Sequence, residues 1–361
     1  MSTDKWTLEE VCEKGSSSLM QKNLKLGTGA FPIYGASGLL GFVDFYHRQE
    51  EYIGIVKDGA GVGRAMLLPA RSSCIGTMQY LIPNQNVTAH YLYYAIQNMN
   101  LAKYNTGATI PHIYFRDYKR ESIPKRSIQE QEIISEKIDK VENIIKIKRE
   151  QLSHLDDLVK SQFIEMFGSI RDNRFNFPVG TIGQECVLKS GTSLPVEVEN
   201  EGGDIPYVKV GDMTYKGSEK YILESSHMVS QMTAESGLFP PGTIIFPKRG
   251  GAIGTNKKRI TAIPICADLN IMAVIPGKRI SAQYLYSYFL AIDLGKLNNG
   301  STVPQINNKD IAPLKILVPP TERQDEFARF VEQTDKSKFR IKQSLEKLEM
   351  LYKSLLQEYF G

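Results

Sequence analysis

In 361 residues the chain has one tryptophan, four cysteines and five histidines. Cysteines at 12, 74, 186 and 266 are too few and too scattered for a disulfide scaffold, and none forms a Cys-x-x-Cys pair. Free thiols in a cytoplasmic protein are the plain expectation. A zinc site gathering all four would need spacings unlike the usual ligand sets. The histidines show no His-Glu-x-x-His spacing. Long apolar runs are missing too. A run such as Ile271 to Ile275 falls far short of the ~20 residues of a membrane-spanning helix. The opening residues MSTDKW hold no apolar core of a secretion signal. Charge of one sign is also lacking: 44 basic against 40 acidic residues leave +4, which by itself identifies no partner. Apolar residues at 42% and charged residues at 23% exclude wholesale disorder.

Familiar catalytic signatures are absent as well. There is no Gly-x-x-x-x-Gly-Lys-Ser/Thr phosphate loop and no Gly-x-Ser-x-Gly nucleophile turn. The segment Gly59 to Gly63 reads Gly-x-Gly-x-Gly, and no βαβ dinucleotide-binding repeat follows it. No Asn/Asp-Pro-Pro-Tyr/Phe tetrapeptide of an adenine methyltransferase occurs, since Pro319-Pro320 lies between Val318 and Thr321. No acidic cluster with a lysine marks a nuclease.

What is present is an internal repeat. Leu152 to Gly168 (LSHLDDLVKSQFIEMFG) matches Leu345 to Gly361 (LEKLEMLYKSLLQEYFG) at an offset of 193. The same offset aligns Thr106 to Ile113 (TGATIPHI) with Asn299 to Ile306 (NGSTVPQI), Tyr91-Leu92-Tyr93 with Tyr284-Leu285-Tyr286, and Gln131 with Gln324. Upstream the offset becomes 191, where Lys57 to Gly63 faces Lys248 to Gly254, and then 174, where Cys12 faces Cys186. The second copy therefore carries an insertion, expected within 195–235. Each copy is a globular part followed by a charged helical part. The expected divisions are 1–124, 125–168, 169–318 and 319–361.

Residues 128–166 hold no glycine or proline. Ile134, Ile138, Val141, Ile145, Leu152, Leu155 and Val159 recur at heptad spacing, and Phe327, Val331, Ile341, Leu345, Leu348, Tyr352 and Leu355 repeat the pattern in the second copy. Lys148 corresponds to Ile341 and Ile145 to Lys338. Two unlike seams favour pairing with each other over self-pairing. Antiparallel pairing gives both copies equivalent surroundings and implies a pseudo-two-fold relation, with the globular parts at opposite ends of a rod. A coiled-coil spacer without further role is the plainer reading.

The globular parts read as short strands and turns with some helix, an α+β arrangement. Tyr52 to Val56 and Gly242 to Phe246 look like strands that enter glycine-rich loops, and 89–99 and 282–294 look like amphipathic helices. The positive excess lies entirely in these parts: 12 basic against 10 acidic over 1–124 and 16 against 13 over 169–318, while the helical parts hold 8 against 9 and 8 against 8. The loop 248–259 carries Lys248, Arg249, Lys257, Lys258 and Arg259, and no acid occurs between Glu235 and Asp268. Cations on a glycine-rich loop can approach a polyanion and release its counterions. A solvated surface hairpin is the alternative. The first copy's loop is poorer, with Lys57, Arg64 and the acidic Asp58. A second candidate is the loop with Thr109, His112, Tyr114 and Arg116, whose counterpart has Thr302, Gln305, Asn307, Asn308 and Lys309. The Gly-x-Thr-x-Pro frame is shared and the polar tips differ, as two readers of different base sequences would require. The frame residues themselves could simply end a loop.

Taken together, the segment Phe31 to Tyr46 (FPIYGASGLLGFVDFY), the two Gly-x-Thr-x-Pro segments, Gln131 and Gln324 at the openings of long helices, and the order domain, helix, domain, helix resemble the specificity subunit of type I restriction–modification enzymes. The resemblance spans nearly the whole chain. It implies two target recognition domains that each read one half of a split DNA sequence. It implies paired helices that act as a ruler and dock two methyltransferase subunits, with translocase-nuclease subunits completing the complex. The chain would then have no catalytic activity of its own. S-adenosylmethionine, ATP and magnesium would belong to the partners. Because the Tyr34-Gly35-Ala36-Ser37-Gly38 segment has no clear sequence equivalent near Ile205 to Met213, a non-palindromic target is expected. The competing readings are a coiled-coil scaffold that does not bind DNA and an unrecognised enzyme built on a glycine-rich loop.

Overall fold

The computed structural model describes residues 4–27, 29–106, 110–199, 201–215, 217–297 and 304–361. The chain divides into two compact units, Met1–Gln151 with Ile341–Gly361 and Leu152–Arg340.

In the first unit, strands Cys12–Ser16, Met78–Pro83, Tyr52–Val56 and Ala65–Leu68 form an antiparallel sheet in that spatial order. Tyr52–Val56 is buried along its whole length, which suits a central strand of Tyr, Ile and Val. A second sheet has Phe31–Gly35 in the middle, antiparallel to Gly38–Val43 and parallel to Ser73–Cys74. Lys5–Thr7 pairs with Ser122–Pro124 and closes the two ends of the globular part against each other.

The second unit repeats this plan. Cys186–Ser190, Ile271–Pro276, Ile244–Pro247 and Arg259–Thr261 stand in the same order, and Tyr221–Ile222 adds a parallel edge strand. Ile205–Val208 sits between Met228–Val229 and Cys266–Ala267, and Val179–Thr181 pairs with Lys315–Leu317. The chain is thus a mixture of helix and sheet built as a repeat, with a long helix between its two halves. Ile33 lies opposite Ser73 and Tyr207 opposite Cys266, so Phe31–Gly35 and Ile205–Val208 hold the same place although their sequences differ. The extra residues of the second copy therefore lie between Val208 and Ile244. That overlaps the 195–235 expected from sequence and moves its start past Val208, because the strand Ile205–Val208 still follows the offset of 174.

The shared Tyr-Leu-Tyr segment has a structural reason. Helices Ala89–Asn98 and Ala282–Leu290 are each capped by a hydroxyl: Thr88 Oγ1 accepts from the Tyr91 amide at 3.2 Å and Ser281 Oγ from the Tyr284 amide at 3.3 Å. Tyr91 and Tyr284 are fully buried and donate their hydroxyls to the Pro124 and Leu317 carbonyls, both at 2.9 Å. Each thereby ties its helix to the strand that leads into a long helix. The helix 282–294 expected from sequence stops at Leu290 and continues as a turn and a short 3-10 segment at Leu294–Leu297.

The long helices are Ile128–Phe167 and Thr321–Phe360, 40 residues each. Within the first unit, Lys137 reaches Tyr359 at 3.3 Å and Arg149 reaches Glu349 at 2.7 Å, so the two segments run antiparallel. Within the second unit Lys338 pairs with Asp156, and Phe163 and Phe167 meet Phe327 at ring separations of 5.5 and 5.4 Å, again antiparallel. Ile134, Ile138, Val141, Ile145, Phe327 and Val331 are buried. Leu152, Leu155, Val159, Ile341, Leu345, Leu348, Tyr352 and Leu355 are half-buried. The burial deepens toward the helix ends because these also join the globular cores. Leu356 and Phe360 pack with Tyr91 and Ile138 in the first unit, and Met166 and Phe167 pack with Tyr284 and Phe327 in the second. The four cysteines lie in four separate apolar clusters, so the fold does not gather them into one site.

Candidate nucleic-acid interface

In both units the glycine-rich loop after the central strand lies against the loop that precedes a one-turn helix. In the first unit, Ile113 donates its amide to the Lys57 carbonyl at 3.0 Å, Gly59 donates to the Pro111 carbonyl at 2.9 Å, and Asp58 bridges His112. In the second, Ile306 donates to the Lys248 carbonyl at 2.9 Å, Gly250 donates to the Pro304 carbonyl at 2.8 Å, and Arg249 bridges Gln305. Gly59 and Gly250 both have positive φ, +82° and +68°, a region where a side chain is strained. The backbone pairing of the two loops is the same in both units and the side chains at the tips differ: Asp58 with His112 in one, Arg249 with Gln305 in the other.

The first unit has an open groove of about 460 Å³ at this junction. Lys14, Lys57, Arg116 and Lys119 line it together with His112 and Tyr114. Asp58 pairs with His112, and the His112 and Tyr114 rings are 4.1 Å apart. The Arg116 guanidinium lies 4.5 Å from the centre of the Tyr114 ring, and Tyr114 is exposed. Lys119 is paired with Glu9, and Lys57 lies 3.9 Å from Asp58. Arg64 is exposed and donates to the Ala36 carbonyl in the turn between Phe31–Gly35 and Gly38–Val43. Cations, an exposed aromatic and a concave wall are the ingredients of a polyanion site. Lys14 carried no signal in the sequence, because it stands alone there and only the sheet brings it to the groove. Lys119, three residues after Arg116, was within reach of the sequence and was missed.

The second unit's basic loop is less available than its sequence suggests. Lys258 is 2% exposed, and its ammonium donates to Asn256 Oδ1 at 2.7 Å and to the Ile292 carbonyl at 2.6 Å. Burial lowers its pKa to about 8, against a weak opposing pull from Asp293. Lys248 is also buried, and its ammonium donates to Ser190 Oγ at 2.6 Å. Burial, and then Arg249 beside it, lowers its pKa. Arg259 donates to the Lys258 and Met213 carbonyls at 2.7 Å each. These three hold the loop together from inside. Lys258 in particular is not a surface cation, because the chain folds its ammonium onto backbone carbonyl and amide oxygens. Arg249 is exposed and Lys257 half-buried. Lys257 stands where Arg64 stands in the first unit, just before the returning strand.

The remaining sequence candidates fall on the one-turn helices. Asn307 caps Asn308–Ile311 with Asp310 in a capping box, and Asn308 and Lys309 are exposed on it. The matching helix of the first unit is Phe115–Tyr118, where Arg116 stands in the place of Lys309. Thr109 and Thr302 lie outside the described residues. Among the described residues no group of three or more His, Cys, Asp and Glu could hold a metal ion, and no helix is long and apolar enough to cross a membrane.

Comparison with known proteins fits this double arrangement. The family model described as "Type I restriction modification DNA specificity domain" matches residues 3–156 and again 176–350. The Type I restriction enzyme MjaIX specificity subunit of Methanocaldococcus jannaschii is 25% identical over 281 residues, which is 70% of this chain and 63% of that protein. The chain thus spans less than two thirds of that curated relative. The crystal structure of the type I restriction–modification S subunit from M. genitalium is similar over 100% of this chain and 97% of that one, with a TM-score of 0.65 at 18% identity. A chain from a study of complex assembly and conformational transition of the type I R-M system is similar over 99% of this chain and 97% of its own, with a TM-score of 0.58 at 16% identity. With its two matches covering most of the sequence, the chain belongs to the type I restriction–modification DNA specificity domain family.

Proposed function

We propose that the chain is the sequence-reading subunit of a type I restriction–modification complex. Each unit takes one half of a bipartite, non-palindromic double-stranded DNA target. The observation that carries this reading is the pair of equivalently hydrogen-bonded loop junctions with unlike tips, Asp58 with His112 and Arg249 with Gln305. One backbone frame with two side-chain sets suits the recognition of two different base sequences.

In this reading Lys57, Arg116 and Arg64 in the first unit and Arg249, Lys257 and Lys309 in the second meet phosphates. His112, Tyr114, Gln305 and Asn308 face bases, and Asn307 holds Gln305. The globular parts are the target recognition domains, and the long helices dock two methyltransferase subunits, with translocase-nuclease subunits joining for cleavage. The chain itself is non-catalytic and cytoplasmic. S-adenosylmethionine, ATP and magnesium serve the partner subunits.

The test is genome-wide adenine-methylation sequencing of the host with and without this gene, joined to a gel shift of the chain with its methyltransferase. The expected result is one split, asymmetric methylated motif that disappears with the gene, and salt-sensitive binding to DNA that carries it. A motif that persists without the gene, or a complex that ignores DNA, would support the scaffold reading instead.

A further inference from the structure

We propose that His112 and Gln305 are equivalent base-reading side chains, and that Asp58 and Asn307 are positioning residues that decide which atoms each reader presents. The inference rests on the DNA-reading function proposed above and deepens it to single atoms. His112 and Gln305 hold the same place, each one residue after the loop proline and one before an isoleucine whose amide bonds the lysine carbonyl of the facing loop. Their environments differ in a chemically decisive way.

The His112 ring bonds Asp58 Oδ1 through Nδ1. A carboxylate accepts and does not donate, so Nδ1 carries the hydrogen and Nε2 is the atom left for a partner. In the neutral ring Nε2 is a single acceptor. The ring is held from the side by Tyr114 at 4.1 Å, and Arg116 covers Tyr114 at 4.5 Å, so the reader is set before DNA arrives. A lone acceptor on the groove wall fits an exocyclic amino group, the N6 amino of adenine or the N4 amino of cytosine.

Gln305 donates from Nε2 to Asn307 Oδ1 at 2.9 Å. The capping box uses the same Asn307 side chain as acceptor for the Asp310 amide, which fixes the oxygen of Asn307 toward the helix and so the nitrogen of Gln305 toward Asn307. Gln305 keeps its Oε1 acceptor and its second amide hydrogen. That adjacent acceptor–donor pair matches the N6 amino and N7 of adenine. At the position where the first unit carries the anionic Asp58, the second carries the cationic Arg249. The two units therefore present one acceptor beside an anion and an acceptor–donor pair beside a cation.

The experiment uses the full chain in its host with its partner subunits, and reads the methylated motif of strains that carry Asp58→Asn, His112→Gln, Asn307→Ser and Asn307→Asp. Asn can donate as well as accept, so Asp58→Asn releases the His112 tautomer. Ser keeps the helix cap and is too short to hold Gln305, whereas Asp keeps both. Expected is a relaxation of about tenfold in base preference at one position of one half-site for Asp58→Asn and His112→Gln. Asn307→Ser should relax one position of the other half-site, and Asn307→Asp, which keeps the acceptor for Gln305, should relax that position less. Unchanged motifs in every variant would overturn the inference and leave the DNA-reading function standing. Equal weakening of both half-sites would also overturn it. A wild-type methylome that does not depend on this gene would remove the underlying function itself. His112→Gln guards against a folding failure of Asp58→Asn, since it keeps the Asp58 side chain and the backbone pairing of the two loops.

Discussion

Gln324 accepts a hydrogen bond from the Ser281 amide at 2.7 Å and so joins the start of a long helix to the cap of a helix 43 residues earlier. Its Nε2 donates to the Arg279 and Pro319 carbonyls at 2.8 and 2.9 Å. Gln131 does the same in the first unit, with the Thr88 amide at 2.8 Å and the Asn86 and Arg126 carbonyls at 2.8 and 3.0 Å. Both glutamines are buried, so all three backbone partners depend on one side chain. Gln131→Leu or Gln324→Leu should each lower stability by about 3 kcal/mol, since buried polar groups left unmatched cost roughly 1–3 kcal/mol apiece and relax in part. Denaturant unfolding of the single variants measures this, and a loss below ~1 kcal/mol would contradict the account.

Phe327 touches Phe163 and Phe167 where the two long helices meet the core of the second unit, and it is fully buried. Phe327→Ala should cost about 3–5 kcal/mol by opening a cavity. Phe339 on the same helix is 61% exposed, and Phe339→Ala should change stability by less than ~0.5 kcal/mol. Thermal unfolding of the pair gives the contrast.

Lys258 supplies a pH prediction. Its folded pKa, about 8, lies below the ordinary 10.5. Below pH 8 both states hold the proton. Between pH 8 and 10.5 the unfolded chain binds more protons than the folded one, so this lysine makes stability rise with pH across that window. Relative to Lys258→Met, the wild type should gain stability from pH 8 to 10, by at most roughly 3 kcal/mol at ~1.4 kcal/mol per pKa unit. A difference that stays flat or falls over that range contradicts the burial of this ammonium.

Salt dependence separates surface cations from buried ones. Arg116→Ala or Arg249→Ala should each reduce the slope of log binding constant against log salt by ~0.9 if each residue neutralises one phosphate. Lys258→Met should leave that slope unchanged, because its ammonium is spent on Asn256 and Ile292. Binding isotherms at several salt concentrations, on DNA bearing the methylated motif, read both effects.

All four thiols are buried, and burial raises Cys12 and Cys74 to about 12 and Cys186 and Cys266 to about 11. The thiolate is the reactive form, so a thiol reagent at neutral pH should label the native chain slowly and all four sites promptly after unfolding. Mass spectrometry of the labelled chain reports each site.

Much of the fold was legible in the sequence. The offset of 193 between Tyr91 and Tyr284, Gln131 and Gln324, and the helix ends identified the repeat, because equivalent residues do equivalent work: the tyrosines tie helix to strand, and the glutamines tie helix start to helix cap. The heptad seam was readable because burial along a helix has a fixed period. The strand Ile205–Val208 was not recognised as the partner of Phe31–Gly35, since a short strand is specified by its sheet neighbours more than by its residues.

By itself, then, the sequence determined the repeat, the two long helices and the loops that carry the polar tips, all features written in local order and spacing. Tertiary structure decided which of those charges are free. Lys258 and Arg249 look alike in a basic loop, yet one ammonium is folded onto carbonyl oxygens and the other side chain faces solvent. Likewise Lys14 becomes a neighbour of Arg116 only when strands distant in sequence form one groove. Whether a charge is solvated or internally bonded depends on residues far along the chain, and no local pattern encodes them.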